Sequence, residues 1–396
     1  MSIEASNPKI RRKLRRLSNC AAVTGVGETL YARNTDKSAL TLSLEASLAA
    51  IRDAGLDPKD IDGVIPYGVG GIVAEDFVTN FGLPDLRFSA QTPMGGASAV
   101  AALQTATMAV ATGVANHVLL TIGRGSIAGG RITDRLQQMP QMKVVGEFEM
   151  PLGTNAPAQF YAHMARRHME VYGTTSEQLA QVAMTCRANA ELNERAMMRK
   201  PMTLVDHQNS RMIADPLRLF DCCLESAGGA AVVVSAADRA IDCKQHPIMI
   251  GGVAEGHPDS PSAITQRDDL TTLGIARAAP IAFEMADVTR DDIDVAEIYD
   301  CFTYIVLCQI EDMGFCKKGE GGDFVSGGRL RRDGELPINT HGGLLSEAHI
   351  AGMNHIVELV RQLRGQCGER QIKDAEVGLV TGFGDLGDGS IAIMHR

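Results

Sequence analysis

The sequence offers nine cysteines, ten histidines and six tyrosines as its reactive side chains. The cysteines stand at 20, 186, 222, 223, 243, 301, 308, 316 and 367, an odd count with no Cys-x-x-Cys pair. That spacing argues against a zinc knuckle and against a disulfide framework, and reduced thiols in the cytoplasm are expected instead. His349 and His355 lie six apart on a predicted helix, so they do not share a face and no metal site is expected. Tyr299 stands at a predicted strand end, and Cys301, two residues on, should point to the same face of that strand. In Asn339-Thr340-His341-Gly342-Gly343 the histidine is placed to orient the loop or to react. Ser98 has no evident local base. The Gly382-Phe383-Gly384-Asp385-Leu386-Gly387-Asp388-Gly389 loop is too acidic for phosphate binding. No dinucleotide fingerprint with its following acidic residue occurs, so no redox cofactor is expected.

The elements that must carry these residues follow from composition and period. The chain has 396 residues, with 38 Lys+Arg against 48 Asp+Glu, a net charge of −10 that disfavours nucleic acid as a partner. Aromatics make up only 4%, Trp is absent and Gly numbers 41, which points to closely packed α/β layers of small residues. The basic run Arg11-Arg12-Lys13-Leu14-Arg15-Arg16 has no apolar segment after it, so it reads as a solvated tip rather than a secretory signal. Phe88 to Gly123 holds no Asp, Glu, Lys or Arg, yet Gln91, Pro93, Gln104 and Asn116 interrupt it. It reads as a helix buried in the protein, not as a membrane span.

A diverged internal repeat organises the chain. The helix-like Leu42–Ala54 leads through an acidic turn into Ile61-Asp62-Gly63-Val64-Ile65-Pro66-Tyr67, and Leu273–Ala286 leads likewise into Ile293-Asp294-Val295-Ala296-Glu297-Ile298-Tyr299. Gly95-Gly96-Ala97 opens a helix-like run to about 112, before a strand at Val118–Ile122. Gly342-Gly343 precedes a helix-like run from about 346 to 363, before a strand at Val377–Thr381. The halves are 1–240 and 241–396. The first is interrupted at about 123–219 by a Met-rich, Arg-rich, helix-leaning insertion placed over the mouth of a site.

These halves resemble the thiolase fold, an α/β fold of two similar halves in an αβαβα stack with an inserted loop domain. The specific resemblance is to the sterol-carrier-protein thiolase and lipid-transfer-protein branch, with its thiolase-like steroid side-chain aldolases. It is carried by Ala21-Ala22-Val23-Thr24-Gly25-Val26-Gly27-Glu28-Thr29, by Phe220-Asp221-Cys222-Cys223, and by Glu297-Ile298-Tyr299-Asp300-Cys301-Phe302-Thr303. Asn339-Thr340-His341-Gly342-Gly343-Leu344 and Ser346-Glu347-Ala348-His349-Ile350-Ala351-Gly352 complete it.

The resemblance implies that Gly96 stands where a thiolase has its cysteine, at the head of the buried helix. It places His349 where the family has the His of Gly-His-Pro, a position that is commonly Tyr in the aldolases, and Tyr299 where the aldolase branch has Tyr. It therefore implies a lyase: a retro-aldol cleavage of the Cα–Cβ bond of a bulky β-hydroxyacyl-CoA, steroid-like or aromatic, without a cysteine nucleophile. Tyr299 and His349 are the expected proton-transfer groups. Gly96, whose missing side chain leaves room for the substrate, is expected to line the pocket with His341, Gly384 and Cys301. Coenzyme A enters only as part of the substrate. The resemblance also implies a homodimer and a small zinc-ribbon/OB-fold partner, with Arg124–Arg135 near the CoA or the dimer contact. The alternatives are acyl transfer of the acetyl-CoA acetyltransferase or β-ketoacyl-CoA thiolase type, through an unrecognised residue, and a non-catalytic acyl-CoA- or lipid-binding subunit.

Overall fold

The computed structural model describes residues 17–67, 71–126, 142–259 and 264–396. The basic run Arg11–Arg16, and Arg131 and Arg135 of the arginine-rich stretch, lie outside them.

The repeat is built by the same local devices in both halves. Helix α1 (Ala39–Ala54) starts at Ser38, whose Oγ accepts the Thr41 N–H at 3.0 Å, and stops at Gly55, φ 77°. Asp60 then accepts the N–H of Asp57 at 2.8 Å to close the acidic turn before β2 (Gly63–Pro66). In the second half α5 (Ile275–Ala286) is followed by a turn in which Asp292 accepts the N–H of Thr289 at 2.7 Å, and then by β9 (Val295–Glu297). Asp62 accepts the N–H groups of Asn116 (2.8 Å) and His117 (2.9 Å) at the start of β4 (His117–Arg124). Asp294 does the same for Glu376 and Val377, both at 2.9 Å, at the start of β10 (Val377–Gly384). Each aspartate thus ties a short strand to its parallel neighbour.

The strands run β3-β2-β4-β7-β1-β8-β11-β10-β9, where β1 is Ala21–Glu28, β3 Phe88–Ser89, β7 Gly228–Ala236, β8 Ile248–Gly256 and β11 Asp388–His395. The two half-sheets are joined through β1 and β8, by the pairs Ala22–Met249 and Val23–Ile248. Helices α2 (Ser98–Ala111) and α8 (Met353–Leu363) pack against strands of both half-sheets. Helix α1 covers the outer face of the first and α5 that of the second. This is the expected αβαβα stack.

Its tight spacing explains the glycine content: a Cβ on Gly25 of β1 would collide with the carbonyl oxygen of Ala50, and one on Gly252 of β8 with that of Ala282. The insertion contributes α3 (Pro157–Tyr172), α4 (Ser176–Glu191) and a small hairpin of β5 (Met212–Ala214) and β6 (Leu217–Arg218). Helix α4 packs on α6 (Thr303–Met313) and α7 (Gly343–Ser346) of the second half. Among the described residues no helix is long and apolar enough to cross a membrane.

Two expectations need correction. β9 ends at Glu297, so Tyr299 and Cys301 lie on the turn into α6, not on a strand. The helix expected from 346 to 363 is broken after α7 and resumes only at Met353. Ala351 (φ 49°) and Gly352 (φ 81°) sit in the left-handed region, which no α-helix tolerates, so His349 stands in the break.

Candidate active site

Strand β9 and helices α2 and α8 converge on one side chain, Tyr299. Its backbone is pinned from both sides: its N–H donates to Thr381 Oγ1 at 2.9 Å and its carbonyl accepts from Gln309 Nε2 at 2.8 Å. Thr381 in turn donates to Gln309 Oε1 at 2.7 Å. The ring then lies across the starts of both central helices. A Cβ on Gly352 would stand 3.0 Å from Tyr299 Cδ2, and a Cβ on Gly96 would fall inside the hydroxyl and Cζ of Tyr299 and against the carbonyl oxygen of Phe383. The space expected to be open for substrate at Gly96 is therefore taken by the tyrosine, because the phenol reaches the point from which a side chain at 96 would start.

His349 is held at that hydroxyl, with Nε2 3.1 Å from Tyr299 Oη. Its own N–H donates to Ser226 Oγ at 2.7 Å. Arg124, the last residue of β4, contacts its ring Nδ1 and donates to its carbonyl oxygen at 3.1 Å. Tyr67 closes another side, donating from Oη to the Gly95 carbonyl at 3.1 Å. Tyr299 is only 3% exposed, whereas His349, Arg124, Tyr67 and Gly96 are half-buried and form the accessible rim. Burial pushes the Tyr299 phenol well above its ordinary range. The neighbouring Cys301, Tyr67 and Cys223 add to this and Arg124 opposes it. Burial likewise pushes Tyr67 up to about 12. Both phenols hold their protons at neutral pH.

Gly384 belongs to the same wall. A Cβ there would strike the carbonyl of Met94, so β10 touches the turn that opens α2. Tyr161 of α3 donates to the carbonyl of Asp385 at 2.6 Å, and its ring centroid lies 4.9 Å from that of Phe302. Cys301 accepts the Cys223 N–H at its carbonyl (3.0 Å), and its buried thiol is pushed far above its usual range, chiefly by burial. It borders the site as an inert thiol. Ser98 is occupied as well, since its Oγ accepts the Met94 N–H at 3.0 Å.

His341 is not brought to the pocket. It is 1% exposed, one layer behind, with Nδ1 3.0 Å from Glu297 Oε2 and Nε2 3.6 Å from Glu347 Oε2. Burial alone would lower its pKa, but the carboxylates of Glu347 and Glu297 outweigh burial and hold it at about 10. It lies buried between two carboxylates, on a loop that turns at Gly342 (φ 110°). Glu297, His341 and Glu358 form the one cluster with metal-ligand spacing among the described residues. Glu358, however, is engaged by Arg370 (3.0 Å), Thr340 (2.8 Å) and Gln362 (3.3 Å), so the cluster is neutralised by its own cations.

Sequence reasoning missed Tyr67, Tyr161 and the contact of Arg124 with His349. Tyr67 had a usable signal: Asp62 to Tyr67 and Asp294 to Tyr299 have the same spacing in the two repeats. Tyr161 and Arg124 gave none, because their partners lie more than two hundred residues away.

A doubled α/β fold whose central helix opens on glycine, with a phenol beside that glycine and no thiol there, suits proton transfer better than thioester exchange. Comparison with known proteins agrees. Residues 256–395 match the family described as thiolase C-terminal domain-like. The chain is 40% identical over 359 residues to a steroid side-chain-cleaving aldolase of Thermomonospora curvata, covering 88% of this chain and 91% of that one. Identity is also 40% with the 17-hydroxy-3-oxo-4-pregnene-20-carboxyl-CoA lyase of Mycobacterium tuberculosis, covering 88% and 92%. The solved Ltp2-ChsH2(DUF35) aldolase superposes with a TM-score of 0.89 at 38% identity, over 96% of this chain and 98% of that one. The chain belongs to the thiolase superfamily, in its branch of thiolase-like aldolases.

Proposed function

We propose that the chain is a carbon–carbon lyase that cleaves the Cα–Cβ bond of a bulky β-hydroxyacyl-CoA by retro-aldol chemistry, giving a ketone or aldehyde and a shortened acyl-CoA. The observation that carries this reading is the Tyr299 hydroxyl standing where a residue-96 side chain would begin. The relatives named as a side-chain-cleaving aldolase and a pregnene-carboxyl-CoA lyase support a steroid-like acyl group.

The reaction balances without a co-substrate. As the Cα–Cβ bond breaks with its electron pair delivered to Cα, the C–O bond becomes a carbonyl. In the same exchange the protonated Tyr299 phenol gives its proton to Cα while its oxygen takes the proton of the β-hydroxyl. His349 at 3.1 Å steadies the phenol oxygen as charge passes through it. The positive end of the α2 dipole, next to Gly96, supports this reading, because it would favour the developing enolate oxygen.

An accessory protein is part of this reading, supported by the relative solved as Ltp2-ChsH2(DUF35). So are a homodimer and a cytoplasmic setting, the latter in keeping with nine free cysteines. The test is mass-spectrometric product analysis with matched β-hydroxyacyl-CoA and β-ketoacyl-CoA, with and without free CoA and the accessory protein. A carbonyl compound plus shortened acyl-CoA, formed without free CoA, is the expected result. Two acyl-CoA products that need free CoA would overturn the reading.

A further inference from the structure

Arg124 ends β4, where it pairs with Gly228 of β7, and its Nη1 meets His349 at two atoms, ring Nδ1 and the carbonyl oxygen. A guanidinium carries only donors and stays charged at every working pH, so Nδ1 must accept. The single proton of the neutral imidazole then lies on Nε2, the nitrogen 3.1 Å from Tyr299 Oη. We infer that Arg124 is a positioning residue of the lyase reaction: it holds His349 as the Nε2–H tautomer, so that the imidazole donates to Tyr299 Oη and leaves the phenolic proton free for the substrate.

The opposite tautomer would be unproductive. With Nδ1 protonated, Nε2 becomes an acceptor, and the Tyr299 proton is spent on His349 instead of Cα. The ring is held at both nitrogens, Nδ1 by Arg124 and Nε2 by Tyr299 Oη. The backbone is anchored in the break between α7 and α8, the His349 N–H on Ser226 Oγ at 2.7 Å and its carbonyl on Arg124. The need for a tautomer-setting cation comes from the imidazole at position 349 and would vanish with a side chain that has no tautomers.

The consequence for catalysis rests on the retro-aldol reading, but the tautomer does not, and the test separates them. Ring ¹⁵N NMR of the full chain labelled at histidine, with the His349 signals identified by their loss in His349→Gln, reads the tautomer directly. Protonated Nε2 and bare Nδ1 are expected in the wild type, and a tautomer mixture or an imidazolium in Arg124→Gln. A wild-type Nδ1–H signal would overturn the inference. Cleavage kinetics then follow Arg124→Gln and Arg124→Lys, alone and with His349→Tyr. Arg124→Gln should lower kcat by roughly 10²-fold with KM within about threefold, Arg124→Lys should recover part of that, and the loss should vanish with His349→Tyr. A raised KM with unchanged kcat in both backgrounds would make Arg124 a substrate-binding residue and sink the inference. Absence of cleavage of any β-hydroxyacyl-CoA would instead count against the proposed function, and the NMR result would still decide the tautomer.

Discussion

The hydroxyl of Tyr299 fills the space in which a Cβ on Gly96 would stand: no side chain fits at 96 while Tyr299 keeps its place. The space a side chain at 96 would enter is thus taken by a phenol from the other half of the repeat. Gly96→Ala should displace the ring, because the Phe383 carbonyl closes the other side. Cleavage should fall by roughly 10²-fold, the effect of moving a reacting group by about 1 Å. Gly96→Cys should lose cleavage equally and gain no CoA-dependent thiolysis, as measured by product analysis.

Tyr299→Phe keeps the ring packing and removes only the hydroxyl. Stability should change by about 1 kcal/mol, since one hydrogen bond to His349 is lost. Single-turnover cleavage should drop by roughly 10²–10⁴-fold. Retained folding with near-normal cleavage would remove Tyr299 from the chemistry.

Thiol reagents should leave cleavage intact. Burial pushes Cys223 up to about 12 and Cys222 and Cys301 beyond the useful range, so none supplies thiolate near neutral pH. Iodoacetamide at pH 7.5, followed by peptide mapping and assay, should show these three unmodified and activity preserved. Inactivation that tracks alkylation of Cys223 or Cys301 would contradict this.

His341 should make the fold lose stability as pH rises. Its pKa moves from 6.5 to about 10 on folding, so the native state binds the extra proton. That contribution is complete below pH 6.5 and is lost as pH climbs towards 10. Glu347, pushed up to about 7 chiefly by burial, acts in the same sense at lower pH. Urea denaturation between pH 7 and 10 should show falling stability, and His341→Gln should be destabilised at pH 7 with a flatter pH dependence.

Asp62 and Asp294 should behave as equivalents. Each accepts two backbone N–H groups from the start of the adjacent parallel strand. Asp62→Ala and Asp294→Ala should each cost about 2–4 kcal/mol in urea denaturation, the range for hydrogen bonds to a charged group with the donors left unpaired. An effect confined to one would break the symmetry argument.

The sequence alone was enough for the doubled architecture, because helix, acidic turn and short strand recur with their capping residues in place, and such signals act within a few residues. Its motifs also singled out Gly96, Tyr299 and His349, which the fold brings to one place. The break around His349 was less legible: Ala351 adopts φ 49°, a conformation that its residue type does not announce.

What only the tertiary structure decided is how these positions meet. His341 and His349 look alike in sequence, yet one is sealed between Glu297 and Glu347 and the other stands at the pocket rim. Gly96 reads as vacant room until Tyr299, two hundred residues later, is seen to fill it. Arg124 reads as the start of an arginine-rich stretch near the CoA or the dimer contact until β4 delivers it to the ring of His349. The reason is physical: local hydrogen bonds and hydrophobic period set the elements, whereas a site is a set of long-range distances that exist only once the two half-sheets close around α2 and α8.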